Sequence, residues 1–297
     1  TIVLWSLVKW VPLFYFSFSR LKEMFSFSAW ILLGSMLSML FNNLNIILIG
    51  RFFPMAQVGF YNKANQFQRL ISVNIASTLD NVSFPVLSGL KDDRIKFLNA
   101  LRKFFVYVMF LTTPLLAVLI IIAKPFVTIV LTEKWIDMIL YLQVLCVVGL
   151  FAPGHILNVK SLLALGHSKL NFNITVLKNI LRVISIIIFI RYGVLYLIIG
   201  ELITSIISVF INTYYNKKFI NYGFFEQLND IWKIMLGGAI VIVVGLLNSF
   251  LLQDLWILLI LNITIGIGLF LLTQFLINRS VLVEMINLKS GFFRHKF

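Results

Sequence analysis

The chain has 297 residues, with 25 Lys and Arg against 11 Asp and Glu, for a formal net charge of +14. It is 60% hydrophobic and only 12% charged, and its mean hydropathy is +0.99. Soluble domains carry about 25% charged residues, so an ordinary globular fold is excluded and the solvent for most of this chain is lipid.

Residues 1–8, TIVLWSLV, are apolar but too short to cross a bilayer, and read as the end of a truncated preceding helix. Residues 9–26 read as a cytoplasmic interfacial segment. A spanning helix needs about 20 mainly apolar residues. Runs of that kind lie at 27–50, 63–88, 104–123, 138–165, 170–190, 193–215, 234–253 and 255–278. They are Leu/Ile/Phe blocks without the period-2 alternation of barrel strands. The expected fold class is therefore an all-α polytopic membrane protein with eight complete transmembrane helices. Residues 216–233 read as a cytoplasmic linker and 279–297 as a basic cytoplasmic tail.

The cations alternate from loop to loop. Lys9, Arg20, Lys22, Lys91, Arg94, Lys96, Arg102, Lys103, Lys169, Lys217, Lys218, Lys233 and the tail fall on one side, but only Arg51, Lys63, Lys124, Lys134 and Arg191 on the other. The positive-inside rule makes the first side cytoplasmic, the C-terminus included. Nucleic acid is a poor partner, because the basic residues are divided among short loops. Anionic membrane lipids suit the aromatic and basic segments SFSRLKEMFS (17–26) and NLKSGFFRHKF (287–297) better, although both also read as plain positive-inside flanks.

The span at 63–88 is unusually polar. An ionisable group at the bilayer centre costs roughly 2.5–3.5 kcal/mol on insertion scales, so such groups face a protein interior or a watery cavity. Gln66, Arg69, Ser77 and Asp80 share one face of this helix, with Asn74 and Asn81 widening it. The stripe lines a cavity or glues helices together; its two ionisable groups favour the cavity. On a rise of about 1.5 Å per residue, Lys178 lies roughly 12 Å and Arg182 roughly 18 Å from the cytoplasmic end of their span. Glu201 lies roughly 12 Å in from the outer end of the next one. In a core about 30 Å thick, Glu201 is level with Arg182. The two are expected to approach, as a structural ion pair or a coupling group, with Asp80 a further coupling candidate. Lys178 has no such obvious partner and is the better candidate for a ligand. His155 and Lys160 follow Pro153-Gly154, a kink signal; His155 reads as a structural histidine and Lys160 as a residue able to snorkel.

Catalytic chemistry is hard to find. There is no Gly-rich loop ending in Gly-Lys-Ser/Thr, no metal-ligand spacing and no Ser/His/Asp arrangement. Cys146 reads as a small buried hydrophobe. No enzyme activity, metal or cofactor is expected.

Four segments carry a resemblance: IGRFFPMAQVGFYNKANQFQRL (49–70), FPVLSGLKDD (84–93), LTEKW (131–135) and LALGHSKLN (163–171). In order and spacing they resemble the Wzx-type oligosaccharide flippases of the MOP superfamily (multidrug/oligosaccharidyl-lipid/polysaccharide). The resemblance implies a fourteen-helix, MATE-like transporter. Residues 27–215 would be its six-helix second lobe, 216–233 the linker and 234–278 two extra C-terminal helices. It implies alternating-access flipping of an undecaprenyl-pyrophosphate glycan across a bacterial inner membrane, for O-antigen, lipopolysaccharide or other surface polysaccharide. Polymerase and assembly proteins are the implied partners. The substrate-binding candidates are Arg69, Lys178, Lys160, Asn74 and Gln66. Two alternatives stay open: a MATE-type cation-coupled multidrug exporter, and a non-transporting subunit of a polysaccharide-assembly complex.

Overall fold

A computed structural model describes residues 16–284. The expected helix end at 1–8, the start of the interfacial segment and the tail beyond 284 lie outside the described residues, as do the side chains of Asp80 and Asn81. The described chain is helical, with no strand among the described residues. In order the helices are α1 (Phe18–Phe52), α2 (Met55–Gly89), α3 (Arg94–Phe126), α4 (Met138–Gly149), α5 (Ala152–Ala164), α6 (Ser168–Phe189), α7 (Val194–Ile220), α8 (Phe224–Leu251) and α9 (Leu255–Ile277).

These make eight membrane-length units, because α4 and α5 together form one, Met138–Ala164. Most run past the apolar spans expected from sequence. Hydropathy marks only the part in hydrocarbon, and the helix continues wherever caps and water can satisfy its ends. Ser17 accepts from Arg20 N–H at the start of α1, so residues 18–26 continue the first span as helix. Asp93 accepts from Lys96 N–H at 3.1 Å ahead of α3, and this bond holds its carboxyl below the usual range. Asp254 accepts from Trp256 and Ile257 N–H ahead of α9.

The expected kink at Pro153 is a break placed slightly upstream. α4 ends at Gly149 and α5 starts at Ala152, so Pro153 sits in a first turn, where its missing N–H costs nothing. Gly149 leaves room there for the Gln68 amide of α2, which a Cβ would displace. The segments 49–70 and 131–135 also meet. Trp135 packs edge-on to Phe60, with centroids 5.7 Å apart, and reaches Gly59. The tight turn that presents it carries Thr132 at φ 78°, a strained setting for a β-branched residue.

α3 is the core helix. Its apolar window is 72% buried, against 28% or less for every other span. α2, α4 and α5 pack on one side of it and the α8–α9 pair on another, while α1 leans on α6 and α2. Lipid tails are as apolar as leucine, so helices here associate through close packing and hydrogen bonds. Glycines supply the closeness. A Cβ at Gly238 would lie 2.6 Å from Thr113, one at Gly245 2.6 Å from Ile121, and one at Gly266 on α9 2.9 Å from Val118.

Amides supply the bonds. Asn158 on α5 and Gln227 on α8 exchange hydrogen bonds of 3.1 and 2.8 Å, Asn216 on α7 donates to the same Asn158 oxygen, and Ser161 donates to Asn216 at 3.0 Å. Next to this knot, Tyr222 donates to Asp230 at 2.8 Å beneath the Arg102 guanidinium. Burial, then the Asp230 charge, pushes the Tyr222 phenol up, so it remains a donor. The segment between α7 and α8 is thereby tied to both α3 and α5.

Gly245→Ala should cost about 1–3 kcal/mol of overpacking at Ile121. It is expected to lower the detergent melting temperature, whereas Gly268→Ala, with nothing within 4 Å of its Cβ, should not. Equal melting curves would show that the α3–α8 approach does not depend on that glycine.

Candidate functional site

A cavity of about 870 Å³ opens between α1, α2, the α4–α5 break, α6 and α7. The core helix α3 and the α8–α9 pair contribute none of its lining. Its cations come from three directions: Arg69 on α2, Lys160 on α5, and Lys178 and Arg182 one turn apart on α6. Glu201 on α7 is the one carboxylate among the described lining residues.

Of the residues singled out from sequence, Arg69, Lys160, Lys178, Arg182 and Glu201 all face this space. Gln66 and Asn74 do not line it. Gln66 is exposed and accepts from Lys63 at 3.5 Å, and Asn74 is exposed. The lining face of α2 is Asn65, Gln68, Arg69, Ser72 and Val73, which is rotated from the expected stripe. A helical wheel ranks faces by polarity, yet the face that matters here is the one turned to the α4–α5 break. The Asp80 expectation lies outside the described side chains.

Lys178, which has no evident partner in sequence, has one in space: its ammonium donates to Asn212 Oδ1 at 3.3 Å. His155 joins the same row. Asn212 Nδ2 lies 3.0 Å from His155 Nδ1, and His155 Nε2 lies 3.0 Å from Ser205 Oγ. Glu201 accepts from Tyr61 on α2 at 3.4 Å and lies on the helix next to Arg182. Lys160 lies over the Phe84 ring, 5.6 Å from its centroid.

Sequence reasoning did not single out Gln68, Ser72, Asn179, Thr204, Ser208 or Asn212 as site residues. All of these are buried, and all but Asn212 line the cavity. A signal was present, since all six are polar positions on the α2, α6 and α7 spans. Ser72 is three residues after Arg69, and Thr204, Ser208 and Asn212 are three, seven and eleven after Glu201, while Gln68 and Asn179 adjoin Arg69 and Lys178 in the chain. Neutral polar residues in a span also serve as interhelical glue, so their spacing alone does not separate the two roles. Among the described residues no group of His, Cys, Asp and Glu could hold a metal ion. The arrangement can surround a polar, negatively charged group with cationic donors, in a setting that is part protein and part water.

Residues 1–140 match the family described as polysaccharide biosynthesis proteins. The teichuronic acid biosynthesis protein TuaB of Bacillus subtilis is 34% identical over 168 residues, which is 55% of this chain and 34% of TuaB. The lipopolysaccharide biosynthesis protein WzxC of Escherichia coli is 25% identical over 224 residues, 74% of this chain and 45% of WzxC. This chain thus spans less than half the length of either relative. Among solved structures, the lipid II flippase MurJ in an inward closed conformation superposes with a TM-score of 0.72 at 19% identity, over 95% of this chain and 59% of MurJ. Transporters of the MOP superfamily, to which the multidrug MATE proteins belong, share the fold at a TM-score of 0.51. This multi-pass membrane chain thus shares the fold of MurJ and of MOP-superfamily transporters, and its sequence is similar to that of polysaccharide biosynthesis proteins.

Proposed function

We propose that the chain is part of a flippase that carries a lipid-linked oligosaccharide across a bacterial inner membrane by alternating access, for surface polysaccharide synthesis. The observation that carries this reading is the charge of the cavity: four cations against one carboxylate among its described lining residues. An exporter of organic cations would need the opposite balance, so the multidrug alternative is disfavoured. A role as a passive assembly subunit leaves a deep cationic cavity without purpose. TuaB and WzxC are named for polysaccharide biosynthesis and MurJ for flipping lipid II, a lipid-linked sugar, which points the same way.

In this reading the phosphorylated headgroup enters the cavity while the polyprenyl tail stays in hydrocarbon. Arg69, Lys160 and Lys178 meet its phosphates, while Asn65, Gln68 and Thr204 supply neutral hydrogen bonds to the sugar. Transport of this kind asks for binding and release, not bond making, so the protein acts as a carrier and not as an enzyme. The cytoplasmic placement of the C-terminus and of the loops rich in Lys and Arg follows the positive-inside rule. In the same reading residues 27–215 act as one lobe, with 216–233 linking it to the helix pair in 234–278.

Hydrogen bonds to charged groups contribute about 1.5–3 kcal/mol. Arg69→Ala and Lys178→Ala are therefore each expected to weaken headgroup binding roughly tenfold to hundredfold, with Lys178→Arg retaining most of it. The measurement is surface-glycan export in cells that depend on the full-length variant, normalised to membrane insertion. Unchanged export with lost drug resistance would reverse the order of the two readings.

Arg182 and Glu201, which line the cavity from adjacent helices, are read as compensating charges. Arg182→Gln and Glu201→Gln should each impair export by leaving one charge uncompensated. The double variant should then recover a substantial part of the loss. Strictly additive losses in this double-mutant cycle would show that the two act independently.

A further inference from the structure

His155 is the titratable group at the cavity that the headgroup reading leaves unused, and its hydrogen bonds admit only one arrangement of protons. A lysine ammonium can only donate. Asn212 must therefore turn its oxygen to Lys178, which leaves its amide nitrogen toward His155 Nδ1. An imidazole nitrogen that receives a donor carries no proton itself. His155 is thus neutral in this arrangement, with its proton on Nε2 and directed to Ser205 Oγ.

A second proton arriving at Nδ1 breaks this order. Asn212 must then rotate its amide to offer oxygen to His155, which turns its NH₂ toward Lys178. Two donors then face each other, and Lys178 loses its acceptor. Protonation of His155 and capture of Lys178 by Asn212 exclude one another.

The surrounding charges decide when the proton can arrive. Lys178 and Arg182 approach from α6, Arg69 from α2 and Lys160 from the same helix as His155, while Glu201 on α7 is the one described carboxylate lining the space. With no anion present, another positive charge here is repelled. A dianion in the cavity reverses the sign of that interaction and at the same time offers Lys178 a new partner.

We propose that His155 is a proton site filled together with the anionic headgroup, and that Asn212 is the amide switch that releases Lys178 to the anion when the proton binds. This rests on the anion-binding reading above. Linkage is reciprocal: the anion promotes protonation, and protonation tightens anion binding by the same factor. Affinity should therefore rise as pH falls, by at most about tenfold per pH unit for one linked proton, and flatten once His155 is protonated in the bound state.

The test uses the full chain in nanodiscs of zwitterionic lipid, with methanedisulfonate as probe. This dianion resembles a diphosphate in shape and does not itself titrate near neutrality. Titration calorimetry in two buffers of different ionisation enthalpy counts the protons taken up per anion bound. The wild type should take up a proton on binding, and His155→Gln should bind the probe with no uptake and no pH dependence. Asn212→Leu, which leaves Lys178 free at all times, should bind the probe severalfold more tightly than the wild type at mildly alkaline pH. Absence of any probe binding overturns the headgroup reading and this inference with it. Binding without proton uptake, or uptake that survives His155→Gln, overturns the proton site alone. An Asn212→Leu chain that folds and binds no more tightly than the wild type overturns the amide switch.

Discussion

A bilayer interior offers no water to a stranded charge, and that constraint organises this molecule. Each of Arg69, Lys178, Arg182 and Glu201 lies within a membrane-length helix, and each would be costly if turned to lipid. The fold meets this by gathering all four, with Lys160, around one space. The most deeply buried apolar helix, α3, lines none of it. The protein therefore has two seams with different rules: one on α3 where glycines let helices touch, and one where polar side chains, bonded to one another, surround a cavity.

The two seams meet at the α4–α5 break. Interrupting a helix inside a membrane exposes backbone groups, which is tolerable only where protein or water can satisfy them. Here the break at 150–151 borders the cavity, and Gly149 admits the Gln68 amide from α2. The same break starts α5 in a direction that delivers His155 to Asn212 and Ser205 on α7. A local backbone defect thus positions the polar row that holds Lys178. The buried amide knot of Asn158, Asn216 and Gln227 lies further along α5 and anchors the connection to α8. Polar groups of this kind specify which helices meet, a task that leucine packing cannot perform alone in lipid.

Much of this was legible in the amino-acid order because lipid imposes a coarse, one-dimensional rule. A run of about 20 apolar residues is a span wherever it occurs, and the structure has eight membrane-length units at the eight places where such runs lie. The cations inside those runs were equally plain, since the cost of a charge in hydrocarbon does not depend on which neighbour eventually shelters it. Depth could even be counted along the chain, because the helical rise is constant.

Direction around each helix was a different matter. Polarity alone pointed to Gln66 and Asn74 on α2, yet the wall is built from Asn65, Gln68, Arg69, Ser72 and Val73. Nor could Lys178 be seen to rest on Asn212, or His155 to stand between Asn212 and Ser205, since these partners are separated by 34 to 57 residues. The chain by itself determined which segments enter the membrane and which charges they bring. Only tertiary packing decided which way those charges turn and what they touch. The reason is physical: insertion energy depends on a residue's depth and is nearly the same all round a lone helix, whereas contact depends on rotation, which neighbouring helices alone can set.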